Sequence, residues 1–214
     1  MEAGDPALIA LIRAIAADDV TLALSLLTAS PSLATTQLAV GASRQVSVDF
    51  FLDEIGHYAY RGDTALHIAA AAYQAAFARV LVSAGADVGA KNRRGAQPLH
   101  YAADGGPGSA SWDPAAQAAT IAYLIAAGAD PNATDNSGVA PLHRAVRTRC
   151  AAAVSALLDG GADPRRANKN GSTPRSLASH NTGRGGSGSA PAKEQQREIV
   201  RLLELRGATL YKRA

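Results

Sequence analysis

Three histidines are the residues whose type best suits metal binding or proton transfer. They are His67, His100 and His143, and each follows a leucine. Imidazole is a common zinc ligand, so three such rings in one place would suggest a metal site. However, 33 residues separate the first two and 43 separate the last two, a spacing that indicates matched positions in successive repeats. We therefore expect them to be spread along the molecule and to hydrogen-bond to turn backbone.

No other group of residues has the spacing of a catalytic site. A nucleophile, a base and an orienting residue do not stand at any recognised separation. The Gly-rich segment at 183–189 lacks the Gly-Lys-Ser/Thr ending of a phosphate-binding loop. Cys150 follows Arg149, which could lower the pKa of the thiol, but we expect a small buried residue. The sequence predicts a protein that is not an enzyme and that binds no metal and no cofactor.

Four similar segments indicate that the chain is built from internal repeats. They share an opening glycine and begin at Gly62, Gly95, Gly138 and Gly171. A second marker follows each of them, and its glycine is Gly85, Gly128, Gly161 or Gly207. Three of the segments carry a proline that suits the first turn of a helix, at Pro98, Pro141 and Pro174. The marker glycine suits a helix end in the left-handed conformation, so each repeat should contain two helices.

These segments resemble the ankyrin-repeat family. The family pattern is a turn, Thr-Pro-Leu-His at the start of a helix, a second helix and then Gly-Ala-Asp. The resemblance is clear from Gly62 to Thr209 and looser over 6–34. It implies an all-α ankyrin-repeat solenoid of stacked helix-turn-helix units, as in intracellular ankyrin-repeat proteins of the bacterial type. It also implies a protein–protein interaction scaffold.

The repeats divide a single domain of 214 residues into six parts. We expect an N-terminal capping repeat at 1–34, with helices from Pro6 to about Ala17 and from Val20 to Ala29. An insertion follows at 35–61, with a short helix near 49–55. The repeats then occupy 62–94, 95–137 with an inserted loop, 138–170, and 171–214 as a terminal repeat with a second inserted loop.

Both inserted loops fall between the two helices of their repeats, at 104–114 and 181–191. Stacked repeats would bring them to one edge, on either side of Arg147. Glycine N–H groups and arginine side chains both bind anions. An alternative function is therefore a small anionic ligand sensor, or an enzyme-like pocket, around Trp112, Arg147 and Arg184. Otherwise the loops are linkers, and Trp112 only anchors the first of them.

The turn tips carry an excess of basic residues, although the net charge of the whole chain is only +3. This asymmetry favours an acidic protein partner on the concave face, and the other interpretation is a solvated rim. In the family pattern, the position after the motif histidine leans toward the inner surface. Arg144 occupies it after His143, and Tyr101 occupies it after His100. The predicted partner-binding residues are Tyr60, Arg61, Arg93, Arg94, Tyr101, Asp104, Trp112, Asp113, Arg144, Arg147, Arg149, Lys169, His180 and Arg184.

Composition narrows the class of protein further. A single cysteine excludes a disulfide framework and favours a reducing, cytoplasmic location. The first residues lack the basic segment of a secretory signal, and no apolar run reaches the ~18 residues of a membrane span. The small net charge gives no reason to expect nucleic acid binding. We expect a monomer without a membrane partner.

Overall fold

The computed structural model describes residues 6–43, 47–107, 112–179 and 189–211, with side chains described as far as Gly207. Within these ranges the chain is an all-α solenoid with one small β-ribbon. The first helices of the successive units are α1 (Pro6–Ala16), α3 (Ala65–Ala71), α5 (Pro98–Ala102), α7 (Pro141–Thr148) and α9 (Pro174–Ser179). The second helices are α2 (Val20–Ala29), α4 (Ala75–Ser83), α6 (Pro114–Ala126), α8 (Ala151–Asp159) and α10 (Ala190–Tyr211).

The two helix layers stack in register. Each first helix packs against the next first helix, as α3 does on α5, and α6 packs in the same way between α4 and α8. The motif leucines Leu66, Leu99 and Leu142 are buried between the layers. Alanines on the inner faces let the helices approach closely, so neighbouring units form one continuous core.

Local sequence explains where the helices begin and end. The three predicted prolines stand at the first positions of α5, α7 and α9, and Asp19 caps α2 by accepting from the Leu22 N–H at 2.9 Å. Gly85, Gly128 and Gly161 have φ values of +95°, +102° and +92°, as predicted for helix ends.

The prediction that Gly207 ends a helix is wrong, because α10 continues to Tyr211. In the other three markers, the aspartate after Gly-Ala accepts a backbone N–H two residues later, as Asp87 does from Gly89 at 2.8 Å. The last marker has Thr209 in that place instead of an aspartate. A glycine inside a helix costs only about 1 kcal/mol, which the rest of a long helix can offset.

The insertion at 35–61 also differs from its prediction. Instead of a helix near 49–55, a 3-10 turn at Val48–Phe50 leads into strand β1 (Phe51–Leu52), which pairs antiparallel with β2 (His57–Tyr58). The Phe51 and Tyr58 rings face each other across the ribbon with centroids 4.7 Å apart. Cross-strand aromatic pairs stabilise a ribbon, whereas a short helical turn without tertiary contacts is marginal in water.

Two long connections separate helices within a unit, α5 from α6 and α9 from α10. The start of the first connection is held by α6, because the Gln117 side chain donates to the carbonyls of Ala102 and Asp104 at 2.9 and 3.0 Å. Gly106 packs on the Thr148 carbonyl so closely that a Cβ there would overlap it. Among the described residues, none of the helices combines the length and the apolar character that crossing a bilayer requires.

Candidate functional site

The three motif histidines join successive repeats through backbone. In each ring, Nδ1 accepts an N–H from the start of its own helix, at 3.1 Å in His67 and His100 and 3.2 Å in His143. Nε2 donates to a carbonyl of the next repeat, at 3.0 or 3.1 Å. The prediction that they bond turn backbone is confirmed, and neither nitrogen is left for a metal ion. Burial lowers the pKa of all three, that of His100 to about 4.

The turns between repeats form a row of four tips, called fingers here: finger 1 (59–63), finger 2 (92–96), finger 3 (135–139) and finger 4 (168–172). In each of the last three fingers, one side-chain oxygen accepts two backbone N–H groups and so closes the turn. This oxygen belongs to Asn92, Asp135 or Asn168. Neighbouring fingers are joined by backbone. The N–H groups of Arg93, Asn136 and Lys169 donate to carbonyls of the preceding finger, at 2.9, 2.9 and 3.2 Å. These carbonyls belong to Arg61, Arg94 and Ser137.

Arg144 forms a largely buried cluster of ion pairs beneath the fingers. Its Nη1 lies 2.6 Å from Asp104 Oδ2, and its Nη2 lies 3.4 Å from Asp135 Oδ2. The side chain is 13% exposed, so both pairs are largely removed from water. The cluster ties α7 to the end of α5 and to finger 3.

A groove of about 640 Å³ runs between the fingers and the first helices. Fingers 3 and 4 contribute amides and a hydroxyl, and the charged lining consists of four arginines and two aspartates. Both aspartates are already paired with Arg144. Among the described residues, no carboxylate pairs with the other three arginines, Arg93, Arg94 and Arg147. The groove therefore has an excess of positive charge.

Tyr101, predicted as a contact residue, lies inside the protein with 2% of its surface exposed. Its hydroxyl donates to the carboxylate of Asp63, whose oxygens are 2.8 and 2.9 Å away. The same carboxylate accepts from Asn92 Nδ2 at 2.9 Å and from the Tyr60 N–H at 2.6 Å. Burial, and then the negative charge of Asp63, raise the pKa of Tyr101 above its ordinary value. Tyr101 thus supports fingers 1 and 2 from below.

Tyr60 and two arginines meet at the tip of fingers 1 and 2. The guanidinium carbons of Arg93 and Arg94 lie 5.4 and 5.1 Å from the Tyr60 ring centroid. Arg61 is exposed beside them, and Lys169 is exposed on finger 4, where its Nζ donates to the Asn136 carbonyl at 2.7 Å. The structure therefore places the predicted residues Tyr60, Arg61, Arg93, Arg94 and Lys169 along one row of fingers.

The remaining predicted residues lie elsewhere. Asp113 caps α6, accepting the N–H groups of Ala115 and Ala116, each at 2.9 Å. Trp112 packs against the core beside Cys150, and it does not line the groove that contains Arg147. His180 and Arg184 lie outside the described residues.

Arg149 is 4% exposed and has a left-handed φ of +62°. Its predicted contact with a partner is not accessible in this structure, because the left-handed cap of α7 turns this residue inward. Cys150 is buried as expected. Burial raises the pKa of its thiol, so the alternative of an activated thiol beside Arg149 is wrong.

Two residues that build the groove, Asn92 and Asp135, were not predicted from the sequence. Their signal is position, since each stands three residues before the opening glycine of a repeat, as Asn168 does. An amide or carboxylate at that offset can close a turn by accepting two N–H groups. A repeated offset of this kind is visible in the sequence once the repeats are aligned.

Comparison with known families agrees with this architecture. A model of three ankyrin repeats matches residues 11–111, a single-repeat model matches 94–136, and a model of many ankyrin repeats matches 124–178. No curated protein shows significant similarity to the chain. Ankyrin repeats are generally protein–protein interaction modules, and proteins built from them are typically not enzymes. The chain belongs to the ankyrin-repeat family.

Proposed function

We propose that this protein is a scaffold that binds an acidic segment of a partner protein in the groove between the fingers and the first helices. The observation that carries the proposal is the pairing of Arg144 with both groove aspartates. Its guanidinium offsets one of the two negative charges and occupies both carboxylates, and the four arginines of the lining exceed the two aspartates by two positive charges. Arg93, Arg94 and Arg147 then remain for a ligand, and a carboxylate-rich segment complements them.

The fingers suit an extended ligand because their backbones are already fixed. The finger-to-finger hydrogen bonds and the side-chain oxygens of Asp135 and Asn168 hold the turns before any partner arrives. Binding to a preorganised surface loses less conformational entropy than binding to mobile loops. Finger side chains such as Asn136 and Asn170 line the groove and can hydrogen-bond to a partner backbone.

The charge in the groove should affect both the association rate and the dissociation rate of the partner. Exposed arginines at the finger tips mainly accelerate association, and this effect weakens with added salt. Arg147 is half-buried where the groove meets α7, so its contact with a carboxylate is less screened. The cytoplasmic location and the monomeric state stay predictions.

The experiment is affinity capture from the native host with the intact protein, followed by mass spectrometry. The Arg93→Glu/Arg94→Glu variant should lose the acidic proteins that the wild type retains, and increasing salt should release them from the wild type. A matched control is Lys193→Glu/Arg197→Glu, which makes the same change of charge at exposed positions on α10. Equal capture by the wild type and the groove variant, or equal loss in the control, would sink the proposal.

A further inference from the structure

A second cleft opens beside the groove, between the insertion at 35–61 and finger 2. It has a volume of about 450 Å³, and its lining includes Tyr58, Tyr60, Arg93 and Arg94, together with the hydroxyl-bearing residues Ser43 and Ser47. The two arginines also line the groove. A partner that lies in the groove can therefore place one side chain in this cleft.

The two guanidinium groups are held in the cleft before a ligand binds. Arg93 Nη2 donates to the Ala42 carbonyl at 2.7 Å, and both groups lie over the Tyr60 ring. A guanidinium has five N–H donors, so one bond to Ala42 leaves Arg93 with several for an anion. Two cations gathered on one ring, without a paired carboxylate among the described residues, favour a ligand with two negative charges.

The aromatic and basic parts of the cleft share one buried support. The Asp63 carboxylate accepts the Tyr60 N–H and Asn92 Nδ2, while Asn92 Oδ1 accepts the Arg94 N–H at 2.9 Å. The backbones that carry the Tyr60 ring and the Arg94 guanidinium are thus fixed to the same pair of residues, and Asp63 is fully buried. Asp63 and Asn92 are positioning residues, because they reach a ligand only through Tyr60 and Arg94.

We propose that this cleft binds a phosphotyrosyl side chain of the partner, an inference that rests on the proposed binding of a partner in the groove. The phosphoryl group is close to a dianion and accepts bidentate hydrogen bonds from arginine, so it matches Arg93 and Arg94. The phenyl ring packs against Tyr58, which is 38% exposed, and Tyr60. A glutamate would leave one arginine unmatched, and a phosphoserine would leave the tyrosines uncovered.

The test is fluorescence polarisation with the full chain and four labelled peptide pools. The pools share degenerate acidic flanks and differ only at the central residue, which is phosphotyrosine, phosphoserine, glutamate or tyrosine. The phosphotyrosine pool should bind at least about tenfold more tightly than the tyrosine and glutamate pools, with phosphoserine between them. The Arg93→Lys/Arg94→Lys variant keeps the positive charge but loses the bidentate hydrogen bonds of the guanidinium groups. It should remove most of the preference for phosphotyrosine.

Further variants separate the two parts of the cleft. Tyr58→Ser should bring the phosphotyrosine pool down to the level of the phosphoserine pool, whereas Tyr58→Phe should retain the difference. Thermal unfolding checks that each variant is folded. Equal binding of all four pools overturns this inference and leaves the proposed function standing. Absence of binding by every pool overturns the proposed function as well.

Discussion

Arg144 Nη1 lies 2.6 Å from Asp104 Oδ2, and this pair joins first helices of neighbouring repeats across a 40-residue separation. The contact is mostly shielded from water, since the two side chains are 13% and 25% exposed. Its position at the floor of the groove gives it two effects. It stabilises the stack, and it determines how much positive charge the groove presents.

Replacing Arg144 by methionine should destabilise the protein and weaken its binding of acidic peptides. Asp104 and Asp135 would be left without their cation, and an unsatisfied charged group at such a site costs about 1–3 kcal/mol. Urea unfolding measures that loss. Adding Asp104→Asn to Arg144→Met should recover part of it, because the neutral amide is cheaper to bury. No recovery in the double variant would show that the charge pair is not the cause.

Replacing Tyr101 by phenylalanine should lower the free energy of unfolding by about 1–3 kcal/mol. The change deletes one hydroxyl and leaves the buried Asp63 carboxylate with one donor fewer. The matched control is Tyr123→Phe on α6, where the ring is half-buried and contacts Arg79. Chemical denaturation of both variants should show a clear loss for Tyr101 and little for Tyr123, and equal losses would contradict the role given to Asp63.

The motif histidines should make the protein less stable in mild acid. The pKa of His100 falls from 6.5 to about 4 in the folded chain because of burial, so between these values the unfolded chain binds more protons. The stability is fully present above pH 6.5 and is lost as the pH falls toward about 4. His67 and His143 shift in the same direction.

The measurement is urea unfolding at about pH 7 and about pH 5, the interval in which linkage predicts the loss. The His100→Gln variant starts from lower stability but should lose less of it between the two conditions. An unchanged pH dependence in His100→Gln would assign the effect to other groups.

The finger row should be sensitive to a methyl group at Gly95. A Cβ there would lie 2.9 Å from the Asn136 backbone nitrogen, and φ is +74°. Gly128 has a similar φ of +102° but nothing within 4 Å of its Cβ position. Gly128→Ala should cost about 1 kcal/mol from backbone strain alone, and Gly95→Ala should cost more because finger 3 must also move. Thermal unfolding that ranks the two variants equally would contradict this.

The repeats were predictable because their signals are local. A proline at a helix start or a glycine at a helix end acts within a few residues, as at Pro141 and Gly161. The insertion was not predictable in the same way, because its ribbon depends on the Phe51–Tyr58 pair and on contacts with finger 1, such as the Leu38 N–H to the Asp63 carbonyl. The helix predicted there ignored these longer-range partners.

The groove was predicted only in part, and the reason lies in one repeat position. Tyr101 and Arg144 occupy the same slot after the motif histidine. One is sealed beneath fingers 1 and 2, while the other lines the groove. The difference arises from the acidic partners, Asp63 for Tyr101 and Asp104 with Asp135 for Arg144. Such pairings depend on how repeats of different length stack, which the sequence of one repeat does not specify.

The longer spacing between His100 and His143 leaves the finger row unbroken. The Asn136 N–H bonds finger 2 at 2.9 Å, the same distance at which the Arg93 N–H bonds finger 1 across a shorter repeat. Extra residues between α5 and α6 therefore leave the geometry of the neighbouring turns unchanged. A foreign peptide or reporter domain could be inserted between α5 and α6, with partner recognition retained as the readout.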